Sequence, residues 1–438
     1  MALGGGTWTA QNKVLPGAYI NFNSAPLASN IMAGRGVVTL PLILKWGPSG
    51  VQEVSYDDFR KDSQKLFGYE YDTAEMKPLR EVFLHAQKGY FYRLNTAGDK
   101  ASCDFGEAKY PGARGNDLKI VITAGEGSTT LNPIYDVSTL LGTAVVDQQK
   151  GITAASQLAD NDYVVFDDSA TLELTAGTSL TGGTDGSVSN EAYQAYLDAM
   201  ESYSFNVMGC PSKESTVKAL FAAYTRRMRD ERGVKFQTVL HKYETANYEG
   251  CISVENGLVS DATACELVYW VTGAQAGCQI NQSLTNTNYD GEYAVKTDYT
   301  QAQLEAALLA GKFIFHRVNR EIRVLSDINT LTSFTTEKSA DFAKNQVIRV
   351  IDQIGNDIAY LFNTKYLGRI PNDNAGRVSL WNDVVKQHQT LQASGAIENF
   401  SGSDVIVEAG TARDSVVITD YITPISAMEK LYMQVIVE

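Results

Sequence analysis

Four histidines (His85, His241, His316, His388) and five cysteines (Cys103, Cys210, Cys251, Cys265, Cys278) are what this 438-residue chain has for building a reactive centre. Nucleophilic catalysis needs a hydroxyl or thiol beside a base, with a carboxylate behind that base. Ser179 stands in a small-residue stretch, Gly177-Thr-Ser179, that could present a nucleophile, but no histidine occupies a His-Gly-Thr context that would mark its base. A phosphate loop fails on spacing. Gly311-Lys312 has Ala306 where the first glycine must stand, and Gly125-Glu-Gly127 reads as a turn. No two cysteines form a CxxC pair, and His241 and Cys251 are too far apart in sequence to suggest a metal site. The chain is therefore expected to have no catalytic residue, no metal and no cofactor. An odd number of cysteines fits free thiols in a reducing compartment.

Charge narrows the partners further. The formal net charge of −14 repels phosphate backbones, so direct nucleic-acid binding is not expected. No run of about 18 apolar residues is present, so membrane insertion is not expected either. The first residues, Met1-Ala-Leu-Gly-Gly-Gly-Thr-Trp8, lack a basic region followed by an apolar stretch, so synthesis in a cytoplasm without standard export is expected. One local exception is Lys213–Lys235, where Lys213, Lys218, Arg226, Arg227, Arg229, Arg232 and Lys235 face only Glu214, Asp230 and Glu231. It reads either as a solvated helix face or as an ionic contact with another copy.

With no chemistry to position, the organisation of the chain carries the reading. Its length and apolar content imply several domains. Residues 1–36 are broken by glycines and prolines around a short strand-like run, Ala18-Tyr-Ile-Asn-Phe-Asn-Ser24, and form an arm. Residues 37–95 begin an α/β layer. Val37–Leu44 is a strand buried on both faces, Ser55 and Asp58 cap a helix that ends at Gly68, a second helix covers 74–88, and a strand covers 89–95. Residues 96–189, rich in Gly, Thr, Asp and Ser, read as an inserted all-β sandwich with strands at 118–122, 134–137, 163–166 and 172–174. Residues 190–336 resume the alternation and predict a doubly wound sheet. Residues 337–438 form an α+β domain. In it Val347, Ile351, Ile354, Ile358 and Leu361 make a narrow apolar seam, and a further helix spans 375–393.

The last residues are the most telling. Leu431, Met433, Val435 and Val437 fall on one side of an extended run, with Tyr432, Gln434, Ile436 and Glu438 on the other. This predicts a final strand, paired either in the chain's own sheet or on a neighbour's edge.

Four motifs then carry a resemblance. Leu44-Lys-Trp-Gly-Pro48 with Phe67-Gly68, Ala108-Lys-Tyr-Pro-Gly-Ala-Arg-Gly-Asn116, Leu180-Thr-Gly-Gly-Thr-Asp-Gly186 and Gly376-Arg-Val-Ser-Leu-Trp381 stand in an order that resembles contractile phage tail sheath proteins. The likeness is greatest to those of Gram-positive phages and phage-tail-like bacteriocins. It implies an α/β multidomain subunit with a subtilisin-like sheet domain, a β-sandwich insertion, an α+β C-terminal domain and strand arms at both ends. It also implies a helical homopolymer around an inner tail tube, joined to baseplate and tail terminator proteins, assembled in the host cytoplasm and contracting to drive the tube through a bacterial envelope. On this resemblance the exchanged strands involve Ala18, Tyr19, Ile20 and Phe22 at one end and Leu431, Met433, Val435 and Val437 at the other. The tube contact falls to Arg349, Lys365, Arg369, Arg377 and Lys386. The alternatives are a serine hydrolase using the α/β domain and a non-contractile coat protein.

Overall fold

The computed structural model describes residues 35–437. Its central layer is a seven-stranded sheet made of β1 (Val37–Leu42), β2 (Val51–Ser55), β3 (Lys88–Arg93), β4 (Val207–Gly209), β5 (Gln237–His241), β6 (Cys251–Val254) and β7 (Lys312–Phe313). The order is β7-β6-β5-β4-β1-β3-β2, parallel throughout except for the antiparallel edge strand β2. The chain builds outward from β1 to β3 and β2, then returns to add β4 to β7 on the other side. This is the doubly wound order expected from the alternation.

The periodicity of β1 explains why both faces are covered. Val38, Leu40 and Leu42 pack into a core with α1 (Tyr56–Phe67), α2 (Lys77–Phe83) and the helix Leu267–Gly277. Thr39 points the other way, 2.9 Å from the Tyr196 hydroxyl in the core beneath the helices Asn190–Met200 and Ser215–Arg226. The Ser55–Asp58 capping box forms, and Gly68 closes α1 in the left-handed region at φ 82°. The second helix is shorter than expected, a 3-10 turn at Ala74–Met76 and then α2 ending at Phe83, because Leu84–Gln87 turns to bring β3 beside β1.

The β domain has two antiparallel sheets. One contains Thr175–Ser179, Leu118–Ala124, Tyr135–Leu141 and Ala144–Ile152, in that order; the other contains Ser102–Cys103, Gly106–Ala108 and Val164–Phe166. The strand expected at 172–174 pairs instead at 175–179, with a register shift between Thr175 and Thr178 that includes Gly177. Ala144–Ile152 was not predicted, since its mostly exposed residues carry no apolar alternation.

Three of the four sequence motifs meet where the sandwich joins the central layer. Trp46 leaves the α/β layer and is buried in the sandwich core against Tyr110 and Tyr163, at ring separations of 5.3 and 6.0 Å. Arg114 donates to the Gly68 carbonyl at 2.8 Å, and Asn116 and Gly183 exchange two hydrogen bonds of 2.8 Å each. Gly112 sits at φ 134°, and a Cβ there would lie 2.1 Å from the Lys45 carbonyl oxygen. No other residue fits that close approach.

The C-terminal domain contains α-helices Asn345–Leu361 and Asn374–Ala393 and a hairpin, Val405–Ala409 with Val416–Asp420. The fourth motif shapes the second of these helices. Asp373 caps it by accepting from the Gly376 amide at 2.7 Å, and the Trp381 indole N–H donates to the Val405 carbonyl of the hairpin at 2.9 Å.

Gly112→Ala is expected to loosen the sandwich from the central layer. The backbone conformation alone should cost about 1–3 kcal/mol, and the Lys45 clash adds to it. Urea unfolding of the variant against the parent checks this; an unchanged midpoint would contradict the junction described here.

Candidate functional site

What the structure leaves unfinished lies in the C-terminal domain. After the hairpin, Thr423–Pro424 pairs with Ile397–Glu398, and the Ala427 amide donates to Gln346 Oε1 at 3.0 Å. The Glu429 carboxylate then accepts from Thr285 Oγ1 at 2.8 Å and Ser326 Oγ at 3.3 Å, and pairs with the Lys344 ammonium. Beyond Lys430 the chain emerges from the body. Leu431, Met433, Val435 and Val437 are 86, 76, 70 and 89 % exposed, and the run forms no strand pairing among the described residues. The expected final strand is therefore not paired with any described residue of its own molecule. A strand needs a ladder partner, and among the described residues no edge is paired with this run. Ala18, Tyr19, Ile20 and Phe22 lie outside the described residues.

Nearby is a sheet with the opposite deficiency. The hairpin of Val405–Ala409 and Val416–Asp420 is two-stranded, so among the described residues each strand has one edge without a strand partner. Its inner face, Val405, Val407, Val416 and Ile418, packs against Leu380, Val384 and Val385. Ile406 and Val417 on its outer face are 42 and 51 % exposed. His388, fully buried, holds the hairpin from below through a 2.7 Å contact with Asp420.

Beside the residues that hold Ala427 and Glu429 lies a buried polar junction. The first turns of Asn345–Leu361 are buried on every side, Asn345, Gln346, Arg349, Asp352 and Gln353 included, rather than along a narrow seam. Asp327 accepts from Gln275 at 2.6 Å, Asn345 at 2.8 Å, the Leu284 amide at 3.1 Å and Arg349 at 3.1 Å. Arg229 grips Asp352 through two bonds of 2.6 and 2.8 Å. Arg35 reaches the same place, donating to the Cys278 and Gln275 carbonyls at 3.0 and 3.1 Å. Burial first, and then the like charge of Arg349, push its guanidinium below the ordinary arginine value.

This junction corrects one expectation. Arg349 is essentially unexposed and spent on Asp327, Gln275 and the Gln282 carbonyl, so it is not available to an inner tube. Lys365 pairs with Asp383 at 2.5 Å, and Arg377 turns back to the Asn372 carbonyl at 3.2 Å. Arg369 and Lys386 are exposed. The basic stretch is likewise largely consumed at home: Lys213 pairs with Asp261, Arg227 with Glu201 and Arg229 with Asp352, while Lys218, Arg226 and Lys235 donate to the His241, Ala246 and Arg229 carbonyls.

Ser179 ends a sandwich strand opposite Lys119. The histidines are placed elsewhere: His85 beside Asp290, His388 beside Asp420, His316 in the hairpin after β7, and His241 buried at the end of β5. Burial, then Lys242 and Lys218, lower the His241 imidazole to about 4.

Comparison with known proteins places these features. Residues 95–185 match the phage tail sheath protein beta-sandwich domain, 186–330 the phage tail sheath protein central domain, and 337–438 the phage tail sheath C-terminal domain. The phage-like element PBSX protein XkdK of Bacillus subtilis (strain 168) is 33% identical over 99% of both chains. The crystal structure of the sheath tail protein from Desulfitobacterium hafniense superposes with a TM-score of 0.83 at 39% identity, covering 96% of this chain and 99% of that one. The anti-feeding prophage helical sheath in its contracted state shares the fold at 12% identity, with a TM-score of 0.57 and 96% and 98% coverage.

Two outcomes follow from the buried groups. Arg349→Ala leaves the Asp327 carboxylate buried without its cation and should lower the stability of the subunit by about 3–5 kcal/mol in urea unfolding; a tube-contact role would leave that midpoint unmoved. His241 stays neutral in the folded state where the unfolded chain, at an ordinary value of 6.5, takes up a proton. Below that pH the unfolded state binds more protons, so stability should fall as pH drops from 6.5 to about 4, where the folded state also protonates. His241→Gln should flatten this part of the stability–pH curve, and an unchanged slope would contradict the assignment.

Proposed function

The chain belongs to the phage tail sheath family and is a structural protein rather than an enzyme, and on that premise we propose that it polymerises helically by lending its last strand to a neighbouring copy. The polymer surrounds an inner tail tube, is joined to baseplate and tail terminator proteins, and shortens to drive the tube through a bacterial envelope. It is assembled in the host cytoplasm and works in a phage tail or phage-tail-like particle.

The observation that carries this reading is the pairing of an excess with a deficit. Leu431–Val437 has no ladder partner among the described residues, and the hairpin Val405–Asp420 has two unpaired edges. In the single subunit the segment lies unpaired, so the strand-patterned run and the hairpin edges are all left unmet among the described residues. Given to the next copy, it pairs with one of those edges, and a head-to-tail contact that does not close makes a helical filament.

Magnitudes show why the strand works as an exchange element. Burying four aliphatic side chains yields roughly 6–12 kcal/mol at about 1.5–3 each. Ordering seven backbone residues opposes this by roughly 7–14 kcal/mol. The terms nearly cancel, so the ladder bonds, worth about 1 kcal/mol net each, decide the outcome. An isolated copy therefore keeps its strand free, while a polymer that repeats the contact at every subunit holds together.

The seven-stranded layer is read as the family's subtilisin-like sheet, serving as a rigid body; its doubly wound parallel order supports this. The tube contact is assigned to the Lys365–Lys386 face of the C-terminal domain, where Arg369 and Lys386 are exposed and Lys365 and Arg377 flank them. Arg349 is removed from that set.

Deletion of Leu431–Glu438 should leave folded monomers in sedimentation velocity where the full chain forms long hollow tubes by electron microscopy. Truncated protein that assembles as readily as the full chain would end the strand-exchange reading.

A further inference from the structure

A strand given to a neighbour joins two bodies only as firmly as its root is held. Two contacts hold this root. Gln346 takes the Ala427 amide, and Glu429 is clamped by Lys344, Ser326 and Thr285. Lys344 also donates to Ser326 Oγ at 3.2 Å, so the cation, the hydroxyl and the carboxylate close a small ring. Past this ring the alternating apolar run begins within two residues, at Leu431, after a stretch, 426–430, that is itself exposed. Lys344 and Gln346 flank Asn345, the residue that donates to the buried Asp327.

Arg35, the first described residue, belongs to the same cluster. It donates to the Gln275 and Cys278 carbonyls. The Gln275 side chain donates to Asp327 and accepts from Arg349 at 2.7 Å. A continuous chain of hydrogen bonds thus runs from Arg35 through Gln275, Asp327 and Asn345 to the segment that grips Glu429. It bypasses the sandwich.

We propose that Glu429 and Lys344 are positioning residues that fix the take-off point of the C-terminal strand, and that through the buried Asp327 cluster they lock it to Arg35, the residue that follows the first 34. This deepens the strand-exchange reading and rests on it. The clamp sets how much of the strand is slack. With it closed, the seven residues 431–437 span about 23 Å at about 3.3 Å each. With it open, the free length extends back toward Ala427 and the bodies can sit at varying distance and angle. Lengthening a tether by a few residues changes its effective concentration little. Freedom of the root therefore costs regularity of the polymer more than its formation.

Glu429→Ala breaks the clamp, and the charge swap Lys344→Glu with Glu429→Lys rebuilds it with reversed sign. Because the pair is partly exposed, melting of the Glu429→Ala monomer should move by no more than about 2–4 °C. Tubes of that variant, imaged and averaged by electron microscopy, should lose coherent helical order, and the swap should restore it. Disorder, or failure to assemble, that the swap repairs supports the clamp. A single variant with the order of the parent, or a swap that repairs nothing, overturns it. The deletion of Leu431–Glu438 serves as the control arm. If the deletion itself leaves assembly intact, the strand-exchange reading has failed; if the deletion abolishes tubes and Glu429→Ala assembles like the parent, only the clamp has.

Discussion

A backbone that leaves water must find hydrogen-bond partners, and an apolar strand without a sheet is the least stable form it can take. This protein carries such a strand at the end of its described chain and a two-stranded sheet with unpaired edges in the same domain. Everything else in the molecule is consistent with protecting that arrangement. The central layer is covered on both faces, the sandwich is joined to it through Trp46 and closely packed glycines, and most of the basic side chains between Lys213 and Lys235 are consumed internally. Among the described residues, Leu431–Val437 is the longest run of exposed apolar side chains at alternate positions.

The buried charges at the base of Asn345–Leu361 have a different role. Replacing such a cluster by hydrophobic residues is often no less stable, so stability alone does not account for it. A saturated carboxylate such as Asp327 does fix geometry, because each of its donors must arrive at a set angle from a different element: Gln275 from the central layer, Asn345 from the C-terminal domain, Leu284 from the loop between them. Such a junction ties the helix Leu267–Gly277 to the C-terminal domain through one carboxylate. That is what a subunit needs if pulling on a strand is to move the whole molecule rather than unfold its last domain.

Much of this was legible in the residues, for reasons that differ by element. The apolar run of β1, the Ser55–Asp58 box and the left-handed Gly68 are local signals, and each forms as read. The glycine motifs also signal locally, but their meaning, a junction between domains, appears only once Gly112 meets Lys45 and Asn116 meets Gly183. The strand Ala144–Ile152 could not be seen, because an exposed strand is held by its neighbours and not by its own pattern. Arg349 was misplaced for a related reason. A charged residue on an amphipathic helix reads as exposed until its partner is known, and Asp327 lies on a separate element with no sequence mark linking the two. At Leu431–Val437 the alternation of apolar residues is plain in the sequence, and the structure leaves that run exposed and unpaired among the described residues, because a strand forms only against a partner edge.

The account depends on where Leu431–Val437 goes in the assembled polymer, and a cryo-electron microscopy map of the tubes, at a resolution that traces the backbone, observes this directly. The account predicts density for this segment running as a strand along an edge of the Val405–Asp420 hairpin of an adjacent subunit. Density that turns back onto the hairpin of its own subunit, or that hangs free in solvent between subunits, would contradict it.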